Sequence, residues 1–141
     1  MSVRQISVFI ENKKGKLAEA SKYLAEHNVN LRALSIADTS EFGILRIICD
    51  DMELAQSVLN EGGYVTTVTD VLAVKIYDKP GSLAEILQVL SEANIVIEYT
   101  YAFLSSKPDS AYIILRVDDN QRAAAALASA GIKTANQDEL F

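Results

Sequence analysis

The chain predicts an α+β fold, a ferredoxin-like βαββαβ sandwich in two tandem copies packed together. Three observations predict it. The sequence repeats itself at a separation of about 66 residues, which is the length of a whole small domain and not of one solenoid unit. Within each copy the hydrophobic period switches between strand-like and helix-like in the order strand, helix, strand, strand, helix, strand. That order builds a four-stranded antiparallel sheet with two helices on one face, the split βαβ arrangement.

The repeat is direct. Asn12-Lys13-Lys14-Gly15-Lys16-Leu17-Ala18-Glu19 returns as Asp78-Lys79-Pro80-Gly81-Ser82-Leu83-Ala84-Glu85. Upstream, Val8 and Ile10 answer Val74 and Ile76; downstream, Leu24, Glu26 and Asn28 answer Leu90, Glu92 and Asn94. After a two-residue insertion around Lys107-Pro108, Asp50-Asp51 matches Asp118-Asp119, Ala55 matches Ala123 and Gly63 matches Gly131. The expected domains are residues 1–69 and 70–141, each of roughly 70 residues. Units so small bury a limited fraction of their surface and are expected to lean on each other.

In the first copy, Val3 to Ile10 is rich in β-branched residues and alternates loosely, a strand. Gly15 breaks it, and from Lys16 apolar residues at Leu17, Ala20, Tyr23-Leu24 and His27 recur at helical spacing. Asn28 ends that helix, because Asn tolerates the left-handed conformation a helix C-terminus needs. Val29 to Asp38 is the second strand, Thr39 to Gly43 a hairpin turn, and Ile44 to Cys49 the third strand. Asp50-Asp51 places carboxylates at the start of the next helix, where capping and the dipole favour them. Met52, Ala55 and Leu59 mark that helix's buried stripe, Gly62-Gly63 stops it, and Tyr64 to Val68 is a short fourth strand. The second copy gives a strand over 71–77, a helix over 82–93, and a strand over 95–104. A turn over 105–110, a strand over 111–117, a helix over 119–129 and a short strand over 132–135 complete it. Thr69-Asp70 alone joins the copies. The runs Ile95-Val96-Ile97 and Ile113-Ile114-Leu115 are apolar on consecutive residues, which predicts burial on both faces under the sister domain or another chain. Ala123 to Ala126 has high helix propensity but little to bury; that helix either packs closely or is weakly anchored.

The 141 residues carry a net charge of −6, with 50% hydrophobic and 23% charged residues. That is an ordinary globular composition, and its acidity argues against nucleic acid as a partner. RNA-recognition modules share the βαββαβ order but need exposed aromatics and a basic face, whereas Ile44 to Cys49 is aliphatic. No apolar run reaches the length of a membrane span, and the opening residues lack the apolar region of a signal peptide. The expectation is a soluble, cytoplasmic protein without a membrane partner. Cys49, the only cysteine, sits in an apolar run and reads as a buried structural thiol.

Chemistry concentrates in the turn after the first strand of each copy. A short polar side chain (Asn12, Asp78), two spacers and a glycine (Gly15, Gly81) open a helix there. Glycine permits a sharp turn and close approach, and the helix N-terminus behind it presents free N–H groups suited to a carboxylate. Asn12 both donates and accepts hydrogen bonds, so the loop suits a zwitterion. The plainer reading makes Asn12 and Asp78 helix caps and the glycines turn residues only.

This loop, in this element order and found twice, resembles the ACT domain family, ferredoxin-like modules that bind amino acids and other small metabolites and regulate metabolic enzymes. The helix exits His27-Asn28-Val29-Asn30-Leu31 and Ala93-Asn94-Ile95-Val96-Ile97 match as well. The resemblance implies a ligand between two domains, touching the loop, its opening polar residue and an Asn at the start of the second strand. Carried over, it points to Asn12, Gly15 and Asn30, within a wider set of Lys14, Lys16, Leu17, Asn28 and Leu31. In the second copy it points to Asp78, Gly81 and Ser82, but Val96 stands where the strand Asn should be. Lys14 likewise replaces the usual proline. One competent site centred on the first loop is therefore expected.

Other residues read as structural. His27 suits a helix end, Tyr99 and Tyr101 share one face of a strand, and Glu19 and Glu85 are exposed helix positions. Asp50-Asp51 and Asp118-Asp119 have no His or Cys beside them, so no metal is expected, and no cofactor. With no nucleophile–base constellation the chain reads as a non-enzyme. It is expected to bind a free amino acid or related small metabolite as a homodimer, or to act as a regulatory subunit docking onto a biosynthetic enzyme.

Overall fold

A computed structural model of the chain describes residues 2–38, 41–102 and 110–140. Among them the elements run β1 (Val3–Glu11), α1 (Lys16–Glu26), β2 (Leu31–Asp38), β3 (Phe42–Cys49), α2 (Met52–Glu61) and β4 (Val65–Tyr77). There follow α3 (Ser82–Glu92), β5 (Ile97–Ala102), β6 (Ser110–Val117), α4 (Asn120–Ser129) and a 3-10 helix over Gln137–Leu140. The chain divides into two compact units, Arg4–Thr69 and Asp70–Phe141, the latter taken with Met1–Val3. The βαββαβ order is present twice, on antiparallel sheets, as the ferredoxin-like expectation requires.

In the first unit the strand order is β2-β3-β1. Ile6 and Val8 lie opposite Ile47 and Leu45, while Leu34 and Ile36 lie opposite the same two residues from the other side. Alternation sends Ile6, Val8 and Ile10 of β1 and Leu45, Ile47 and Cys49 of β3 to one face. There they close a core with Ala20 and Leu24 of α1 and Met52, Ala55, Val58 and Leu59 of α2. The second unit orders β4-β6-β5, with Leu72 opposite Leu115 and Val74 opposite Ile113. Its core sets those residues against Ile86 and Leu90 of α3 and Ala123 and Leu127 of α4. The alanine-rich α4 is thus anchored by one small and one large residue, which lets it lie close to α3. A register irregularity falls at the same place in both copies, between Leu31 and Ala33 and between Ile97 and Tyr99.

The helix ends follow local chemistry. Asp51 caps α2 by accepting the Leu54 N–H at 3.0 Å, and Asp119 caps α4 by accepting the Arg122 N–H at 3.1 Å. Asn28 and Asn94 take φ of 62° and 58°, the left-handed step that lets the Val29 and Ile95 N–H groups bond back to Leu24 and Leu90 carbonyls.

Four readings are corrected. β4 is continuous through Thr69-Asp70, because Val65 to Thr69 is β-branched throughout and no glycine or proline interrupts residues 64–79. The expected strand over 132–135 is a single antiparallel bridge, Val74 to Thr134, with the Ala135 N–H donating to Ala73 O at 2.8 Å. The chain then turns into the 3-10 helix to bury Leu140. β5 starts at Ile97, leaving Val96 60% exposed, since the Val96 N–H is held by Asp118 Oδ1 at 3.1 Å instead of by a strand. Ile113, Ile114 and Leu115, by contrast, are all buried, as their consecutive apolar run predicts. Phe42 and Gly43, read as part of the hairpin turn, already belong to β3. Thr39-Ser40, residues 103–104 of the predicted strand and residues 105–109 of the next turn lie outside the described residues. No helix among the described residues is long and apolar enough to cross a membrane.

Cys49 is buried, its N–H pointing to Met52 Sδ at 3.4 Å. Burial, with Asp50 adding to it, pushes the thiol up to about 12 from an ordinary 9.0. The unfolded thiol therefore ionises first as pH rises, so this group's contribution to stability is complete below about pH 9 and is lost between 9 and 12. Iodoacetamide at pH 8 is expected to leave native Cys49 unmodified and to alkylate it on unfolding in urea. Modification of the native protein at the rate of an unfolded thiol would contradict this burial.

Candidate functional site

The loop after β1 is built by backbone turns. The Lys13 N–H donates to Glu11 O at 2.8 Å, the Lys16 N–H to Lys13 O at 3.2 Å, and the Glu19 N–H to Gly15 O at 2.9 Å. Gly15 is the N-cap residue of α1 with φ 84°, and no side chain caps the helix; Gly81 does the same for α3 with φ 92°. Both positions need the left-handed conformation glycine supplies without strain. The capping reading of Asn12 is therefore set aside. Asn12 instead donates from Nδ2 to Asp38 Oδ1 at 2.6 Å, and its N–H bonds Glu41 O at 3.0 Å. Lys13 pairs with Glu11 at 3.0 Å, and this lysine, with Lys16 farther off, holds the Glu11 carboxyl below its usual range.

β1 and β2 both run antiparallel to β3, so the ends of β1 and β2 lie at the same edge of the unit. There a cleft of about 240 Å³ opens between Asn12, Lys13 and Leu17 on one side and Ile36, Asp38 and Gly43 on the other, over Ile10 and Leu45. Leu17 is 44% exposed at its rim. Of the residues picked out in sequence, Asn12 and Leu17 line the cleft and Gly15 shapes the turn behind it. Lys14 is exposed in the turn, and Lys16 reaches Glu19 at 3.6 Å. Asp38 and Ile36 were missed; their only sequence signal is their place at the end of the second strand.

Asn28, Asn30 and Leu31 lie at the opposite end of β2. Seven strand steps separate Leu31 from Asp38, roughly 23 Å, too far for one small ligand to touch both ends within the unit. Asn30 donates from Nδ2 to Asp50 Oδ2 at 3.0 Å, and Arg32 pairs with the other oxygen of Asp50. That cluster ties the start of β2 to the corner before α2. In the second unit Asp78 is exposed and Gly81 caps α3, while Ser82 is buried at the first turn. His27 donates from Nδ1 to Tyr23 O at 2.8 Å, its ring 4.4 Å from that of Tyr23, a helix-end role. Tyr99 and Tyr101 stack at 6.3 Å along β5.

The sequence model of the ACT domain pair matches residues 1–140. Protein BT0572 from Bacteroides thetaiotaomicron is 33% identical, with a TM-score of 0.91 over 100% of this chain and 96% of that one. The ligand-free regulatory subunit of aspartate kinase from Thermus thermophilus superposes with a TM-score of 0.64 at 19% identity, over 91% of this chain and 90% of that one. The corresponding subunit from Thermus flavus gives 0.57 at 19%, over 91% and 92%. No curated protein matches. These last two likenesses are of fold; the pair model and the first structure carry the assignment, and the chain belongs to the ACT domain pair family.

Proposed function

We propose that the protein is a regulatory sensor, without chemistry of its own, that binds a free amino acid or related small metabolite in the cleft of the first unit. The observation that carries this is the juxtaposition of a carboxylate, Asp38, with an amide, Asn12, at 2.6 Å, beside the uncapped N-terminus of α1. The arrangement supplies a partner for each end of a zwitterion. Asp38 takes the ammonium, the free N–H groups of the loop and first helical turn take the carboxylate, and Asn12 orients both. Ile10, Leu17, Ile36 and Leu45 form an apolar wall that favours an aliphatic side chain. From the aspartate kinase regulatory subunits, similar in fold, we carry over the mode of action: a subunit that docks on a biosynthetic enzyme and alters it according to ligand occupancy.

A thermal-shift screen of the twenty amino acids tests the reading. A ligand at one hundred times its dissociation constant should add about 2.7 kcal/mol. Asp38→Ala is expected to weaken the responding ligand by about 1.5–3 kcal/mol, the usual worth of a hydrogen bond to a charged group. An unaltered affinity in that variant, or no response to any amino acid, would overturn the proposal.

A further inference from the structure

A second pocket, of about 480 Å³, lies wholly within the other unit, between the end of β4, the first turn of α3 and the segment after α4. Three lysines, Lys75, Lys79 and Lys133, line it against a single acid, Glu85, in a chain whose net charge is −6. Lys75 lies 5.7 Å from the centre of the Tyr77 ring, and none of the three has an ion-pair partner among the described residues. Ser82, also in the wall, is only 7% exposed, and its Oγ has no hydrogen-bond partner. A buried hydroxyl left without a partner is uncommon in a folded protein and calls for an explanation. The helix behind it has no side-chain cap, so amides of its first turn add donors and the positive end of the dipole.

The internal repeat provides its own control. At the corresponding place the first unit has Phe9 for Lys75, Lys16 for Ser82, Tyr64 for Ile132 and Val65 for Lys133. Tyr64 packs partly buried against the core. Burial first, and then the neighbouring Glu19, raise its hydroxyl pKa, with Lys16 acting against them. Lys16 is itself paired with Glu19, and Lys13 with Glu11. One copy thus fills the place with a ring and neutralises its lysines. The other opens it, adds two lysines and puts Tyr77 where Glu11 would have paired Lys79.

We infer that the second unit holds a site for a small phosphate-bearing anion, bound by Lys79, Lys133 and Ser82 Oγ at the N-terminus of α3. Ammonium point charges, a hydroxyl and backbone N–H groups together make the donor set that phosphate oxygens take, and the volume leaves room for an organic group beyond the phosphate. This site is separate from the amino-acid cleft in residues, unit and ligand charge.

The test uses the full isotope-labelled chain titrated with inorganic phosphate, against sodium chloride at matched ionic strength, following the amides of Leu83, Ala84 and Lys133. Saturable shifts centred on these residues are expected with phosphate and not with chloride. Lys79→Gln/Lys133→Gln is expected to weaken binding by roughly tenfold or more, with the melting temperature of the free protein retained. Ser82→Ala should weaken it less, leaving the fold intact. Non-saturating shifts, shifts spread evenly over surface lysines, or equal affinity in the double variant would overturn the site. Malonate binding as tightly as phosphate would overturn the assignment to phosphate. The amides of Asn12 and Leu17 report the other cleft, so failure there and failure here are read separately.

Discussion

Leu24→Ala is expected to destabilise the protein by about 2–5 kcal/mol, the range for emptying a leucine site in a packed core. Leu24 is 1% exposed and stands in the last turn of α1, inside the cluster formed with β1, β3 and α2. Truncation removes contacts on every side at once, and the surrounding strands, held in register by their ladders, cannot close the gap. Its counterpart Leu90 is fully buried in the other core and is expected to behave alike. Leu83, 40% exposed two turns earlier on α3, supplies the contrast and should change stability by no more than about 0.5 kcal/mol as Leu83→Ala. Urea denaturation with an unchanged slope measures all three. A loss below about 1 kcal/mol for Leu24→Ala would mean that α1 is not packed as described.

What was legible in the sequence is what local chemistry decides. The turn glycines, the asparagines ending α1 and α3, and the capping aspartates of α2 and α4 each act within four residues along the chain. Repetition at a fixed separation then joined these signals into two βαββαβ copies. The candidate site is different, because its key contact joins residues 26 positions apart, Asn12 and Asp38. Only the strand order brings them together. The same strand order separates Asn30 from the loop: family likeness groups the two, whereas the run of β2 sets them at opposite ends of the unit. The second pocket was illegible for a further reason. Its lysines come from the end of β4, the loop after it and the segment after α4, and the last of these was read as a strand. Pattern alone could not tell that residues 132–135 make one bridge and leave Lys133 lining an opening.

Gly62→Ala is expected to cost about 1–3 kcal/mol, the usual penalty for overpacking, although Gly62 has an ordinary helical φ of −78°. The reason is close approach. A Cβ at Gly62 would stand 2.7 Å from Cζ of Tyr23 and 2.8 Å from its hydroxyl. The ring has little freedom to retreat, since its hydroxyl donates to Val58 O at 2.6 Å and its faces meet His27 at 4.4 Å and Tyr64 at 5.6 Å. The repeat again supplies the comparison: where the first copy has Tyr23 and Gly62, the second has Val89 and Ala130. There the first helix carries a smaller side chain, and the position after the second helix already holds a methyl group. Tyr23→Val alone should destabilise by loss of the ring and of its hydrogen bond. In the Tyr23→Val/Gly62→Ala pair the added methyl meets no ring, so the second substitution should cost far less than in the wild type. A double-mutant cycle in urea measures the difference, expected to be about 1 kcal/mol or more in favour of the pair. Strict additivity would show that the clash is relieved by backbone movement and that Gly62 is not tied to Tyr23.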